Sequence, residues 1–72
     1  MRVSQLIHTM DREDRIVIDD FDKKIDQMRI FDGLVRWIKK DSPINKMHVL
    51  SICSDKDTIV VLARSQRVKR GK

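Results

Sequence analysis

The sequence contains very little cysteine, glycine or proline. Its single cysteine, Cys53, cannot form an internal disulfide, and the chain has no CxxC pair for a thiolate zinc cluster. The two glycines, Gly33 and Gly71, lie too far apart to form a glycine-rich phosphate-binding loop. These absences exclude disulfide-stabilised scaffolds and P-loop proteins, and they favour a reducing compartment.

Long apolar segments are also absent. No apolar run approaches the ~18 residues that a membrane-spanning helix needs, and the first residues alternate polar with apolar types instead of forming a signal sequence. We therefore predict a cytoplasmic protein without a membrane partner. A chain of 72 residues is expected to form one marginally stable domain, which dimerisation would stabilise further.

Unbalanced positive charge is confined to the C-terminus. The chain has 16 basic and 11 acidic residues, and five of the basic ones follow Ala63 with no acidic residue among them: Arg64, Arg67, Lys69, Arg70 and Lys72. The other 11 basic residues balance the 11 acidic ones, so residues 1–63 carry no net charge. We predict a single domain at 1–63 and a flexible basic tail at 64–72. The tail either binds nucleic-acid phosphates or only keeps the chain soluble.

Apolar periodicity predicts one helix followed by strands. The i, i+3, i+4, i+7 spacing of a helical stripe is formed by Val3, Leu6, Ile7 and Met10. Four segments rich in β-branched and other apolar residues follow: RIVIDDF (15–21), MRIFDG (28–33), MHVLSIC (47–53) and TIVVLAR (58–64). The polar segment SDKD separates the last two segments, which are therefore predicted to form an antiparallel hairpin.

Two connecting segments complete the predicted fold. The segment LVRWIKK (34–40) fits a helix or a strand, and we favour a bent continuation of the preceding strand, with a bulge or bend at Gly33. Ser42 and Pro43 have the residue types of a helix cap and a first helical position. Together the elements predict a single α+β domain, in which a short N-terminal helix packs on a four- to five-stranded antiparallel sheet. Closure of that sheet into a small barrel is the alternative.

Carboxylates are dense between Asp14 and Asp26, in the stretch DRIVIDDFDKKID. A calcium-binding EF-hand loop needs glycine at its sixth position and glutamate at its twelfth, and a loop starting at Asp20 has Ile25 and Phe31 there. A looser magnesium site built from two aspartates stays open. Acid–base catalysis would need a pocket, whereas the neighbouring lysines indicate a solvated surface. We interpret the stretch as a strand that runs into an acidic turn.

Histidine and cysteine supply the remaining catalytic candidates. His48 and Cys53 are five residues apart in one predicted strand, where only even separations share a face, so we expect them to point to opposite sides. Cys53 is interpreted as a small core residue. His8 is expected on the solvent side of the first helix. We therefore predict no enzymatic activity, no cofactor and no metal site.

The order of these segments resembles a known group of proteins. An opening helix that ends in acidic residues, then RIVIDDFD, IFDG and MHVLSICSDKDTIVVLAR, is similar to short open reading frames carried by phages and prophages of Gram-positive bacteria. The resemblance covers residues 1 to about 64. It implies a small α+β domain of mobile-element origin, and it implies no catalytic residues. The tail SQRVKRGK departs from the pattern.

Three binding functions follow as hypotheses. Phage accessory proteins of this size are often inhibitors or adaptors of a host protein or nucleoprotein, including the nucleases of bacterial defence. On that hypothesis Phe21, Phe31 and Trp37 are the candidate anchors, although at least two of them are expected to pack in the core. The alternatives are a DNA- or RNA-binding regulator that uses the basic tail, and a structural homodimer that pairs through an exposed strand edge.

Overall fold

The backbone forms one short helix packed on a sheet of four strands. The computed structural model describes residues 1–65, and within them the elements follow in the order α1 (Val3–His8), β1 (Arg15–Asp20), β2 (Arg29–Leu34), β3 (His48–Asp55) and β4 (Thr58–Arg64). The predicted helix and all four predicted strands are therefore confirmed. Among the described residues, no helix has both the length and the apolar character needed to cross a membrane.

The strand order in the sheet is β2-β1-β4-β3. β2 is antiparallel to β1 and β3 is antiparallel to β4, but the central pair is parallel, with Ile16 opposite Ile59 and Val17 opposite Val60. The prediction of a purely antiparallel sheet is therefore wrong. The two strands with the longest uninterrupted apolar runs, β1 and β4, occupy the centre, where each has a neighbour on both sides. This is the usual position of a strand that reads as a continuous apolar run.

The parallel pairing results from the connection between β2 and β3. Because β2 and β3 run in the same direction, the chain must travel back along the sheet before β3 can begin. Residues 35–47, which we call the return segment, make this passage through two short 3₁₀ helices, Val35–Trp37 and Pro43–Lys46. The barrel alternative is also wrong, since within residues 1–65 β2 and β3 are the two edges of an open sheet.

The core lies between one face of the sheet and the layer formed by α1 and the return segment. Its fully buried side chains are Ile16 and Ile18 from β1, Val61 and Ala63 from β4, and Val3 from α1. A helix of six residues is too short to be stable alone in water, so burial of Val3 in this core is what holds α1 in place. The hydrophobic effect thus couples the helix to the central strands.

The opposite face of the sheet is mixed in character. Val17 is buried there by its neighbours, while Val60 and Leu62 are half-buried. Two ion pairs join β1 to β2. Arg15 Nη2 lies 2.9 Å from Asp32 Oδ1, and Arg29 Nε lies 3.2 Å from Asp19 Oδ1. Most of the buried apolar side chains therefore lie on the face of the sheet that α1 and the return segment cover.

The segment after β2 leaves the sheet earlier than predicted. The bent strand expected at 34–40 is wrong beyond Leu34, because the chain turns into a 3₁₀ helix at Val35. The Val35 N–H donates to the Asp14 carbonyl at 2.9 Å, and the Val35 side chain is buried in the core. Burial and hydrogen bonding to the turn before β1 therefore outweigh the strand propensity of this segment.

Ser42 and Pro43 act as predicted. The Ser42 hydroxyl oxygen accepts a hydrogen bond from the Ile44 N–H at 3.2 Å, and Pro43 is the first residue of the 3₁₀ helix that follows. Proline is favoured there because its fixed φ suits the first turn and its missing N–H is not needed. This cap sets the direction in which the return segment approaches β3.

The β3–β4 hairpin has a tighter loop than the four residues predicted. The strands extend to Asp55 and Thr58, which pair with each other, so only Lys56 and Asp57 form the loop. Lys56 has φ of 59°, in the left-handed region that a residue with a Cβ adopts at a cost of roughly 1–2 kcal/mol. Glycine or asparagine is the usual choice at such a position.

Replacing Lys56 with glycine should therefore stabilise the protein. Relief of the left-handed strain exceeds the extra chain entropy that glycine loses on folding, so the free energy of unfolding should rise by roughly 0.5–1 kcal/mol. Urea denaturation of Lys56→Gly measures this change. The matched control is Asp57→Gly, which should lower the free energy of unfolding because Asp57 has no positive φ. Equal destabilisation by both variants would contradict this account of the loop.

Candidate functional site

An open cleft of about 740 Å³ lies between α1 and the return segment. Backbone hydrogen bonds tie its two walls together at both ends. At one end the Val3 N–H donates to the Met47 carbonyl at 2.9 Å, and at the other the Arg36 N–H donates to the Arg12 carbonyl at 3.0 Å. The shape of the cleft is therefore fixed by the backbone and not by mobile side chains alone.

Positive side chains are the most numerous type among the residues that line the cleft. Both walls and the turn after α1 contribute to this set: Arg2, Arg12, Arg36, Lys39, Lys40 and Lys46. None of the described residues that line the cleft is acidic. We call this feature the basic cleft. A concave surface lined by charges of one sign focuses the electrostatic potential and attracts ions of the opposite sign.

Ion pairing compensates little of this charge. Within residues 1–65, Arg36 is the one cation of the basic cleft that forms an ion pair, with its Nη1 3.3 Å from Glu13 Oε2. Both side chains are well exposed, so this pair adds little stability. Five cations crowded together repel one another, which disfavours the folded state. A bound polyanion would remove that repulsion, so the arrangement is typical of an anion-binding site.

Asn45 holds the lysine pair of the cleft in position. Its Nδ2 group donates to the carbonyls of Lys39, at 2.7 Å, and Lys40, at 3.1 Å. The amide thus fixes the backbone from which both lysine side chains extend. Since Asn45 belongs to the 3₁₀ helix that Ser42 caps, this contact joins Lys39 and Lys40 to that helix within the return segment.

Apolar atoms form the rest of the lining. Ile7 from α1, Met10 from the turn after it and Ile38 from the return segment are partly buried against the core and also line the cleft. Val35 lines its base and is almost fully buried. The cleft therefore combines positive charge with apolar surface, which suits a ligand that has anionic groups joined to carbon-rich groups.

The tail predicted to bind nucleic acid is described only at its first two residues, Arg64 and Ser65. Arg64 is the last residue of β4, its Nη2 lies 3.3 Å from Asp22 Oδ1, and its guanidinium carbon is 5.5 Å from the centre of the Phe21 ring. These contacts fasten Arg64 to the turn after β1. Four of the residues predicted to bind nucleic acid lie outside the described residues: Arg67, Lys69, Arg70 and Lys72.

Of the three aromatic residues predicted as protein anchors, Phe31 and Trp37 both lie against Gly33, and Phe21 lies beside Arg64. Phe31 of β2 packs partly buried against the core, whereas Phe21 is 52% exposed beside Arg64 and Trp37 is 59% exposed. The expectation that at least two of the three pack in the core is therefore wrong. The core is filled by aliphatic side chains, and Phe21 and Trp37 follow the ends of β1 and β2, where the chain turns outward.

Trp37 covers Gly33 at the edge of the sheet. A Cβ atom on Gly33 would lie 2.5 Å from Trp37 Cε3, so the indole occupies the space that a side chain would take. The predicted bulge does not lie at Gly33, which pairs regularly with Ile16; the register shift between Ile18 and Asp19 leaves Ile30 of β2 as the extra residue. Gly33 is needed for close approach of the ring, as when aromatic residues cover edge glycines in sheets.

The acidic stretch forms the end of β1 and the turn after it. Asp20 is buried, and its Oδ1 accepts a hydrogen bond from the Asp22 N–H at 2.9 Å, which is the geometry of an Asx turn. Asp19 and Asp22 pair with Arg29 and Arg64. Among the described residues, no group of three or more His, Cys, Asp or Glu side chains is arranged to hold a metal ion.

The predicted opposite orientation of His48 and Cys53 is wrong. A register shift between Val49 and Ser51 adds one residue to β3, so His48 pairs with Arg64 and Cys53 with Val60, which share a face of β4. The two pairs are four residues apart along β4, or roughly 13 Å at the rise of a strand, too far for direct contact. Cys53 is also exposed, so it is not the core residue that was expected. His8 is exposed as predicted.

The basic cleft was missed because residues 1–63 are neutral in sum. A local signal was present in the segment RWIKKDSPINK (36–46), where four basic residues accompany a single acidic one. The contribution of Arg2 and Arg12 depends on the packing of α1 beside this segment, which sequence spacing does not show. Searches against protein-family models, curated proteins and solved structures find no match to this chain.

The contact of Trp37 with Gly33 predicts the effect of adding one methyl group. Gly33→Ala should displace the indole, lower the free energy of unfolding by roughly 1–3 kcal/mol, and shift the emission of this single tryptophan to longer wavelength. Urea denaturation followed by fluorescence measures both effects. In a Trp37→Ala background the same glycine substitution should lose most of its effect on stability. An unchanged emission spectrum together with full additivity would contradict the proposed contact.

Proposed function

We propose that this chain is a non-catalytic binding protein whose basic cleft binds the phosphate backbone of nucleic acid. The observation that carries the proposal is the concentration of six cations, five of them without an ion pair among residues 1–65, along one cleft with no acidic lining. Contacts of lysine and arginine with phosphates supply most of the affinity of such sites and little sequence preference. On this proposal the folded domain itself contacts the phosphates, and binding does not depend on the basic tail alone.

Nucleic acid fits the lining better than a small anion does. A single phosphate or sulfate would neutralise one or two of the cations, whereas a polynucleotide presents phosphates at regular intervals along both walls. Its sugars and bases could also contact the apolar side chains of Ile7, Met10 and Ile38. The combination of phosphate charge and carbon-rich surface therefore favours a polynucleotide.

Reversing the charge of the lysine pair should weaken binding strongly. Lys39→Glu/Lys40→Glu removes two phosphate contacts and adds repulsion, so the dissociation constant for a fluorescent oligonucleotide should rise by about tenfold or more at moderate salt. Fluorescence anisotropy with single-stranded and duplex probes measures this. The matched control is Lys23→Glu/Lys24→Glu, which makes the same charge change in the acidic turn and should alter affinity far less. Equal losses in both variants would show that only net charge matters.

Salt dependence separates the basic cleft from the tail. For five contacts, the logarithm of the association constant should fall with the logarithm of salt concentration with a slope of about −3.5 for a single strand. A chain that ends at Ser65 keeps every described residue of the cleft and should retain most of that slope. Loss of all binding in this shortened chain would assign the activity to the tail and refute the role of the cleft.

A second candidate function is inhibition or modulation of a host protein or nucleoprotein by a mobile-element accessory protein. The observation that favours it is the exposure of two aromatic residues, Phe21 and Trp37, in a chain with three aromatics. Exposed aromatics and arginines often carry most of the energy of a protein interface. Affinity capture from a bacterial lysate, with and without nuclease treatment, distinguishes the two candidates. A partner retained after nuclease treatment and lost with Trp37→Ala supports this second function.

A further inference from the structure

One edge of the sheet, β3, is unusually open. The N-terminal residues cover only its start, where Arg2 forms a bridge with His48 and the Val49 N–H donates to the Met1 carbonyl at 2.8 Å. Beyond this point, Leu50–Asp55 has β4 on one side and no strand of the described residues on the other. A strand edge with unpaired N–H and C=O groups is a template for pairing with another strand.

The other edge strand, β2, carries features that hinder pairing with another strand, whereas β3 carries few of them. On β2, Arg29 and Asp32 are charged and ion-paired, and Trp37 covers Gly33. On β3, Leu50 is 45% exposed and Ile52 is 46% exposed, and no charged side chain lies between His48 and Asp55. Natural edge strands usually carry a lysine, a proline or an inward-pointing charge that prevents pairing. Between Leu50 and Ser54, β3 has no lysine, proline or charged residue, and its one protective feature is the bulge at Leu50, at the start of the free stretch.

The charge pattern of this edge fits a second copy of the same chain. In antiparallel pairing about a two-fold axis, the uncharged stretch Leu50–Ser54 meets its own copy without bringing like charges together. Asp55 of each copy would then approach the start of β3 in the other copy. Asp55 then lies opposite Val49 or Ser51 of the other copy, on the side toward Arg2 and His48, so a negative side chain approaches basic ones.

The core is small, and dimerisation would bury apolar surface that the single chain leaves exposed. Eight apolar side chains of the described residues are buried, while Leu50 and Ile52 remain about half exposed on β3. Burying the exposed part of each of these two side chains in an interface would stabilise the dimer through the hydrophobic effect. Strand pairing would also satisfy the free backbone groups of the edge.

We propose that two copies of this chain pair antiparallel through Leu50–Asp55 and join their four-stranded sheets into one continuous sheet of eight strands. A two-fold axis perpendicular to the sheet keeps the α1 layers of both copies on the same face. The two basic clefts then lie on one side of the dimer. If the proposed function holds, a polynucleotide long enough to reach both clefts binds with increased avidity; the pairing itself does not depend on that function.

A lysine placed on the edge tests the dimer. Ile52→Lys puts like charges near the two-fold axis and should raise the dimer dissociation constant by about tenfold or more. Analytical ultracentrifugation over a range of concentrations measures this constant. The matched control, Ile25→Lys, makes the same substitution at a side chain that is 88% exposed in the turn after β1, and it should leave the dimer intact. A native chain that is monomeric at every soluble concentration would overturn the proposal.

Disulfide trapping identifies the edge that pairs. Residues directly opposite in an antiparallel pair have Cα atoms 4.5–5.5 Å apart, a distance that a disulfide can bridge. A two-fold axis within the free stretch brings Ile52 or Cys53 opposite its own copy. Mild oxidation should therefore give a covalent dimer from native Cys53 or from Ile52→Cys/Cys53→Ser, but not from Ile25→Cys/Cys53→Ser. A dimer in solution that is trapped by none of the β3 cysteines would show that another surface pairs, and would overturn the proposal.

Discussion

The parallel pairing of β1 with β4 is the contact on which the rest of the structure depends. It brings together the two strands with the longest apolar runs, and it buries Ile16 and Ile18 beside Val61 and Ala63 in one layer. In a chain of 72 residues this layer supplies most of the hydrophobic stabilisation. Once β1 and β4 are parallel neighbours, β2 and β3 must form the two edges.

The basic cleft follows from the same topology. A parallel central pair requires the chain to return along the sheet after β2, and the space on the core face is shared between the return segment and α1. Both lie with their apolar side chains toward the core, so their polar residues are directed outward and toward each other. Cations that are distant in sequence, such as Arg12 and Lys46, thereby line one cleft. The fold thus concentrates basic residues on one surface, although basic and acidic residues are equal in number within residues 1–63.

Local elements were predictable because short-range physics determines them. The apolar spacing of Val3 to Met10 identified α1, and the cap formed by Ser42 with Pro43 identified the start of a 3₁₀ helix. What the sequence could not show was the order of strands in the sheet, which is set by burial of whole strands. The register shift in β3 reversed the expected faces of His48 and Cys53, since one extra residue changes the parity of a strand.

The candidate site was less predictable than the fold. Counting charges located the excess at the C-terminus, yet the basic cleft is formed by the neutral part of the chain. Only the density of basic residues in 36–46 indicated one of its walls. The aromatic residues were also hard to place from sequence. Phe21 and Trp37 are of residue types that usually pack in a core, yet both are exposed. In both cases tertiary packing decides the role of the residue.

The most direct test of the account is an NMR titration of the isotope-labelled protein with a short single-stranded oligonucleotide. Because the cleft is defined by α1, the turn after it and the return segment, chemical-shift changes should map to residues 2–12 and 35–46. Amides of the acidic turn after β1 should change little. Shift changes centred on that turn or on the β3–β4 loop, or no changes at low salt, would contradict the claim that this fold creates a nucleic-acid-binding cleft.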